Sequence, residues 1–194
     1  LMAVGNIFGQ GGSSLISRLL GQKDKTGARH VSSFCFYVTI FAGIIIGILM
    51  LIFRVPLLYI IGADEETFVH ASSYYMYLAI GAPAIMLSFI HSNLLRSEGM
   101  SKESMAGTIM GAVVNIILDP IFISALGWGA GGAAIATVIG YLFSDIFFAV
   151  IVLKRSKMLS IAPKEIKVPA KDIGQILGIG IPAAIVNLMQ SVSI

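Results

Sequence analysis

Residues 130–153, AGGAAIATVIGYLFSDIFFAVIVL, form an apolar run broken by one charged residue, Asp145. As a helix rising 1.5 Å per residue this run reaches about 36 Å, enough to cross a bilayer core of about 30 Å. Residues 41–53, FAGIIIGILMLIF, carry no charge at all. Strands of an outer-membrane barrel would show segments of about ten residues alternating in polarity, so continuous apolar stretches of this kind predict helices. The whole chain agrees, with hydrophobic residues at 57% of 194, charged residues at 12% and a mean hydropathy of +0.91. That is too little charge to coat a soluble domain, so lipid is the solvent for most of this surface.

Working outward, the same reading predicts an all-α integral membrane protein with about six spans, near 1–20, 31–53, 71–95, 104–126, 130–153 and 174–194. The chain starts at Leu1 and stops at Ile194 inside apolar sequence, so the first and last spans are expected to be incomplete and the chain to be a piece of a longer one. All 13 Lys and Arg residues except Arg54 border alternate connections: Arg18 to Arg29, then Arg96 and Lys102, then Lys154 to Lys171. Basic residues beside short loops stay in the cytoplasm, which directs the first span inward and the last outward. The opposite connections hold Arg54, the acidic Asp64, Glu65 and Glu66, and a nearly uncharged Gly-rich turn at 127–131. Residues 154–173, with Pro163 and Pro169 among six basic residues, predict a cytoplasmic linker between two bundles. A net charge of +3 spread along span borders forms no nucleic-acid stripe, so the expected partner is the lipid bilayer and not nucleic acid.

Charge inside a span costs a few kcal/mol, which singles out Asp119 and Asp145. Asn115 and Asp119 are four apart and share one helix face, and Pro120 cannot donate an amide hydrogen to the Ile116 carbonyl. Hard oxygen ligands of this kind suit Na⁺ or a transferable proton better than zinc. Asp119 is seven residues before the outer end of its span and Thr137 seven past the start of the next, so both lie roughly 10 Å from the outer boundary. Asn115, Asp119 and Thr137 are therefore candidates for one cation site, the alternative for Asp119 being a carboxylate hydrogen-bonded for packing. Asp145 is a candidate second proton acceptor or a polar contact to a neighbouring helix. Asn187 and Gln190 are candidates for substrate binding, or amides that join helices.

His91, near the inner end of the third span, is expected to be solvated or to cap a helix end, like His30 and His70. The lone Cys35 reads as buried filler and permits no internal disulfide. Glycines four apart, at 5 and 9, 43 and 47, 107 and 111, and 174 and 178, would let helix backbones approach closely. Pro83 and Pro182 fall inside spans as hinges or static kinks. No nucleotide loop and no nucleophile–base arrangement is visible, so the chain does not read as an enzyme.

The string GQGGSSLISRLLGQKDK at 9–25 resembles the end of the second helix and the next loop in MATE (multidrug and toxic compound extrusion) exporters, and LLRSEGMSK at 94–102 resembles the end of their fourth. NIILDPIFI at 115–123 followed by GWGAGGAAIATVIG at 127–140 is similar to their fifth and sixth helices. The resemblance spans nearly the whole chain, from the second helix into the seventh. It implies most of the N-terminal lobe (1–153) of a twelve-helix fold, the linker, and the start of the C-terminal lobe (174–194). It also implies a drug:Na⁺ or drug:H⁺ antiporter of the plasma membrane that works by alternating access, exports drugs or organic cations, and needs no cofactor beyond the coupling ion. Asn115, Asp119 and Thr137 match the family's cation-site positions, whereas its other key acid lies on a first helix outside this sequence, as does the C-terminal lobe. Competing expectations are a lipid-linked oligosaccharide flippase of the same superfamily, disfavoured because the basic residues lie at loops, and a channel or scaffolding subunit.

Overall fold

The structure, a computed structural model, describes residues 2–60, 64–166 and 168–192, and among these there is no strand. The order is α1 (Met2–Gly21), α2 (Lys25–Ile52), α3 (Arg54–Ile60), α4 (Glu65–Ile80), α5 (Ala82–Ser97), α6 (Ser101–Pro120), a π-helical turn (Ile121–Ala125), α7 (Gly129–Lys154), a 3-10 turn (Pro163–Glu165) and α8 (Ala170–Val192). Helices α2, α6 with its π turn, and α7 are long and apolar enough to cross a membrane, and α4 with α5 makes a further, broken crossing. The 20-residue α1 and 23-residue α8 complete six rods and pack along each other.

Several expected spans change form. The span at 31–53 begins earlier, at Lys25, because Asp24 caps α2 by accepting the Gly27 amide hydrogen at 2.9 Å. The outer connection is not bare, since α3 occupies it and Tyr59 stacks on Phe68 at 5.4 Å. The span at 71–95 is bent by 55° where α4 stops at Gly81 and α5 restarts with Pro83 in its first turn. Pro182, by contrast, lies within a continuous α8.

The core sits where α1, α2, α5 and α7 meet, around Ile16, Cys35, Ile90, Leu95 and Phe148. On the outside of the bundle Phe41 (66% exposed), Ile52 (66%) and Ile116 (68%) are bare. Such contiguous apolar faces are compatible with lipid or another bundle, not with water.

The basic connections share one end. Arg29 of α2 reaches Glu165 at 2.8 Å, Arg155 after α7 reaches Glu103 of α6 at 3.3 Å, and Glu98 after α5 accepts the backbone amides of Lys157 and Met158 at 3.1 and 3.2 Å. The segment after α7 is laid on α2: Ser32 and Ser33 both donate to the Ser160 carbonyl at 3.0 Å, and Tyr37 donates to that of Ile161 at 3.1 Å.

Close approach to a neighbouring backbone occurs at Gly43, Gly47 and Gly111 among the paired glycines, and to a side chain at Gly9 and Gly107. A Cβ at Gly43 would crowd the Pro83 backbone, and one at Gly107 would overlap the Phe148 ring. The pair at 174 and 178 departs from expectation, because both positions face open space; Gly180 and Gly11 form the tight α1–α8 contact instead.

Candidate cation site

Helices α6 and α7 become antiparallel neighbours through a turn in which Gly127 and Gly129 take φ of +67° and +53°, a region that costs an L side chain roughly 1–2 kcal/mol. They cross at backbone contact. A Cβ on Gly140 would lie 2.7 Å from the Gly111 carbonyl oxygen and 3.2 Å from Asn115 Cβ, and one on Gly111 would fall on Ser144 Oγ. Absence of side chains at this crossing puts Asn115 of α6 against Thr137 of α7.

The structure thus brings the three predicted residues together. Asn115 Nδ2 donates to Asp119 Oδ1 and to Thr137 Oγ1, both at 3.4 Å, while Thr137 Oγ1 donates to the Ala133 carbonyl at 2.9 Å. All three side chains are half-buried. Contacts of 3.4 Å are at the weak limit for hydrogen bonds, so Asp119 is loosely held and can accept a stronger partner. A proton would neutralise it directly. A metal cation would require the Asn115 amide to turn over and offer Oδ1, because its NH₂ group faces both partners as placed.

Below the site the helix changes pitch. Pro120 has no amide hydrogen for the Ile116 carbonyl, and the next residues relax into the π turn, where the Leu126 amide donates to the Ile121 carbonyl at 2.9 Å. The expected uninterrupted span at 104–126 is therefore α-helical only as far as Pro120. Phe122 stacks on Trp128 at 5.4 Å and closes the outer end.

A cavity of about 210 Å³ opens beside the site, lined by Ser88, Thr108, Asn115, Thr137, Tyr141 and Ser144. A second, of about 320 Å³, shares Ser88, Thr108 and Tyr141 and extends to Asn6, Gln10 and Arg96. Polar lining therefore continues from Asn115 toward the end of the bundle that carries the basic connections.

Asp145 lies apart from this cluster. It is buried beside His91, with Nδ1 and Oδ1 3.5 Å apart. His91 is 2% exposed, which corrects its expected solvated or helix-end role. Asn187 is half-buried on α8, which packs on α1 and not on α6 or α7, so it does not join Asn115. The side chain of Gln190 lies outside the described residues.

The MatE family model matches residues 1–121. The multidrug export protein MepA of Staphylococcus aureus is 36% identical over 190 residues, 98% of this chain and 42% of that protein. Its counterpart in Staphylococcus saprophyticus is 34% identical over 194 residues, covering 43% of its length. Among solved structures, a MATE protein in the bent conformation has a TM-score of 0.91 at 32% identity, with 98% of this chain and 43% of that one covered. A MATE transporter of the MOP superfamily aligns at 0.89 when inward-facing, over 94% of this chain and 42% of that one, and at 0.90 when outward-facing, over 98% and 42%, both at 32% identity. The chain spans less than half the length of the curated relatives it matches.

Proposed function

This chain belongs to the MatE family, and from that premise we propose that it forms the cation-coupled lobe of a multidrug exporter in the plasma membrane, with Asn115, Asp119 and Thr137 holding the coupling ion. The observation that carries the reading is the convergence of an in-span carboxylate, an amide and a hydroxyl across the α6–α7 crossing. Drug export follows from cation binding only if the ion prefers one conformation, because equal affinity for both shifts no equilibrium. Na⁺ or H⁺ entering from outside neutralises Asp119 and makes burial of the site favourable. The Pro120 π turn, adjoining the carboxylate, transmits that closure to the drug side.

The near-equal likeness to inward- and outward-facing structures supports a lobe that moves largely as one body. The linker at 154–173 and the start of a second lobe at 174–194 fit the same scheme, and no catalytic chemistry enters it. The test is ethidium efflux from cells expressing the full-length transporter, wild type against Asp119→Asn, under separately imposed Na⁺ and H⁺ gradients. Loss of gradient-driven efflux by about tenfold or more, equivalent to about 1.4 kcal/mol of coupling, is expected and identifies the ion. Normal efflux by Asp119→Asn sinks the assignment.

A further inference from the structure

A second pair of ionisable side chains joins α5 to α7 in the cytoplasmic half of the bundle. His91 Nδ1 lies 3.5 Å from Asp145 Oδ1, with side chains 2% and 9% exposed. Neither ring nitrogen and neither carboxyl oxygen has a hydrogen-bond partner among the described residues. Phe36 of α2 and Phe148 of α7 wall the imidazole, with ring centroids 5.3 and 6.1 Å away. His91 is five residues from Arg96 and Asp145 nine from Lys154, so both lie roughly 8 to 14 Å from the basic cytoplasmic border. Thr137 is eight residues, about 12 Å, farther outward on α7, which separates this pair from the cation site.

Among the described residues, the neighbouring elements supply no competing charge at this depth. On α5, Arg96 donates to Ser92 and Ser104; on α6, Glu103 pairs with Arg155; on α1, Arg18 donates to Gln175; and Glu98 is taken up by Ser156. From α2 come the buried Cys35 thiol and Phe36, and from α4 tyrosines such as Tyr77, which meets α7 at Gly131 in the outer half. An isolated charge is the costly species in a low-dielectric core, and two coupled groups titrate as a unit. The favoured state is net-neutral, with one proton on Nδ1 or on the carboxyl oxygen. Losing it strands a carboxylate, and gaining a second strands an imidazolium. Either charged state favours parting α5 from α7 so that water can solvate the ion.

We propose that His91 and Asp145 form a second proton-binding site, exchanging with the cytoplasmic side, whose single shared proton locks α5 to α7. Two side-chain ligands between aromatic walls provide too few oxygens for Na⁺, which leaves H⁺ as the ligand. The proton, when released, passes to cytoplasmic water. The link to transport rests on the exporter reading; the proton site itself does not.

The test uses the full-length transporter in lipid, with ¹⁵N-labelled histidine followed by NMR as pH is varied. Asp145→Asn is expected to change the pH response of the His91 ring nitrogens, through loss of the neighbouring carboxylate. His91→Gln is expected to shift the dependence of efflux on cytoplasmic pH while leaving the external-cation dependence that Asp119→Asn removes. An unchanged His91 response overturns the proposal, as does a cytoplasmic-pH profile unchanged in His91→Gln; should Asp145→Asn fail to accumulate, Asp145→Glu serves for the first measurement. Coupled titration of the pair with unaltered export by Asp119→Asn would remove the exporter assignment and leave this site standing. Cation-driven export through Asp119 with an uncoupled His91 would do the reverse.

Discussion

Gly140 shapes the proposed cation site by what it lacks. Its missing Cβ lets the Gly111 carbonyl and Asn115 come into contact across the crossing, and the 3.4 Å reach from Asn115 to Thr137 has no slack to give up. Gly140→Val inserts three carbons where the first already meets backbone, and overpacking of that kind costs typically about 1–3 kcal/mol. We expect a lower thermal unfolding temperature in detergent together with loss of cation-dependent efflux. Gly178→Ala is the contrasting case: nothing lies within 4 Å of its Cβ, and replacing a helical glycine should be neutral or stabilising by up to about 1 kcal/mol. Equal behaviour of the two variants would mean that the crossing does not set the site. Asn115 and Asp119 were legible in the sequence because four-residue spacing fixes a shared face, and Thr137 because a short turn fixes relative depth. Gly140 was not, since spacing along one helix says nothing of what the opposing helix presents. His91 escaped for a related reason: a histidine near a span end reads as solvated until the helix covering it is known.

At the scale of elements, the segment after α7 is held more closely than its polar, proline-bearing sequence suggests. Ser160 is buried against α2, and Arg29 donates through Nε and Nη2 to the two carboxylate oxygens of Glu165 at 3.1 and 2.8 Å. Hydrogen bonds from Arg29, with a smaller contribution from Ser160, hold the Glu165 carboxyl below the usual glutamate range. Because the folded value is depressed, the stabilisation is fully present above the ordinary glutamate pKa of about 4.3 and fades as the pH falls through the lower folded value. The pair is solvent-accessible, so its contribution is about 0–1 kcal/mol. Protection of the amides at 159–162 and 164–166, taken relative to the intrinsic exchange rate at each pH, should be high near neutrality and fall in acid below about pH 4. Glu165→Gln should exchange faster at neutral pH and lose most of that acid response; an identical pH profile in the variant would show that serine and tyrosine contacts from α2 hold the segment without the ion pair. Sequence exposed the charges here but not the docking, which depends on hydroxyls at 32, 33 and 37 facing two carbonyls more than a hundred residues away.

Over the whole molecule, the lipid-facing apolar surface and the polar interior divide the work. The crossings made by α2, by α4 with α5, by α6 with its π turn and by α7 were legible in hydropathy because lipid contact demands long apolar runs, whereas the break at Gly81 and the π turn after Pro120 were not, since both depend on which neighbours accept an irregular backbone. The bundle is tied at the end that carries the basic connections by contacts among three of them, and across its middle by glycine crossings. A body braced at both levels should shift as a unit when drug binds, with rearrangement confined to its boundary with the rest of the transporter. Spin labels replacing Lys23, in the α1–α2 turn, and Lys102, at the start of α6, both sit on exposed positions of this end. At fixed pH, their distance distribution in the full-length transporter is expected to stay unchanged between drug-free and drug-saturated samples. A label pair from Lys102 to the other lobe should move by several ångströms under the same conditions. A drug-induced shift between Lys23 and Lys102 of the same size would place the conformational change inside the lobe, and would assign the bend at Gly81 the part of a working hinge.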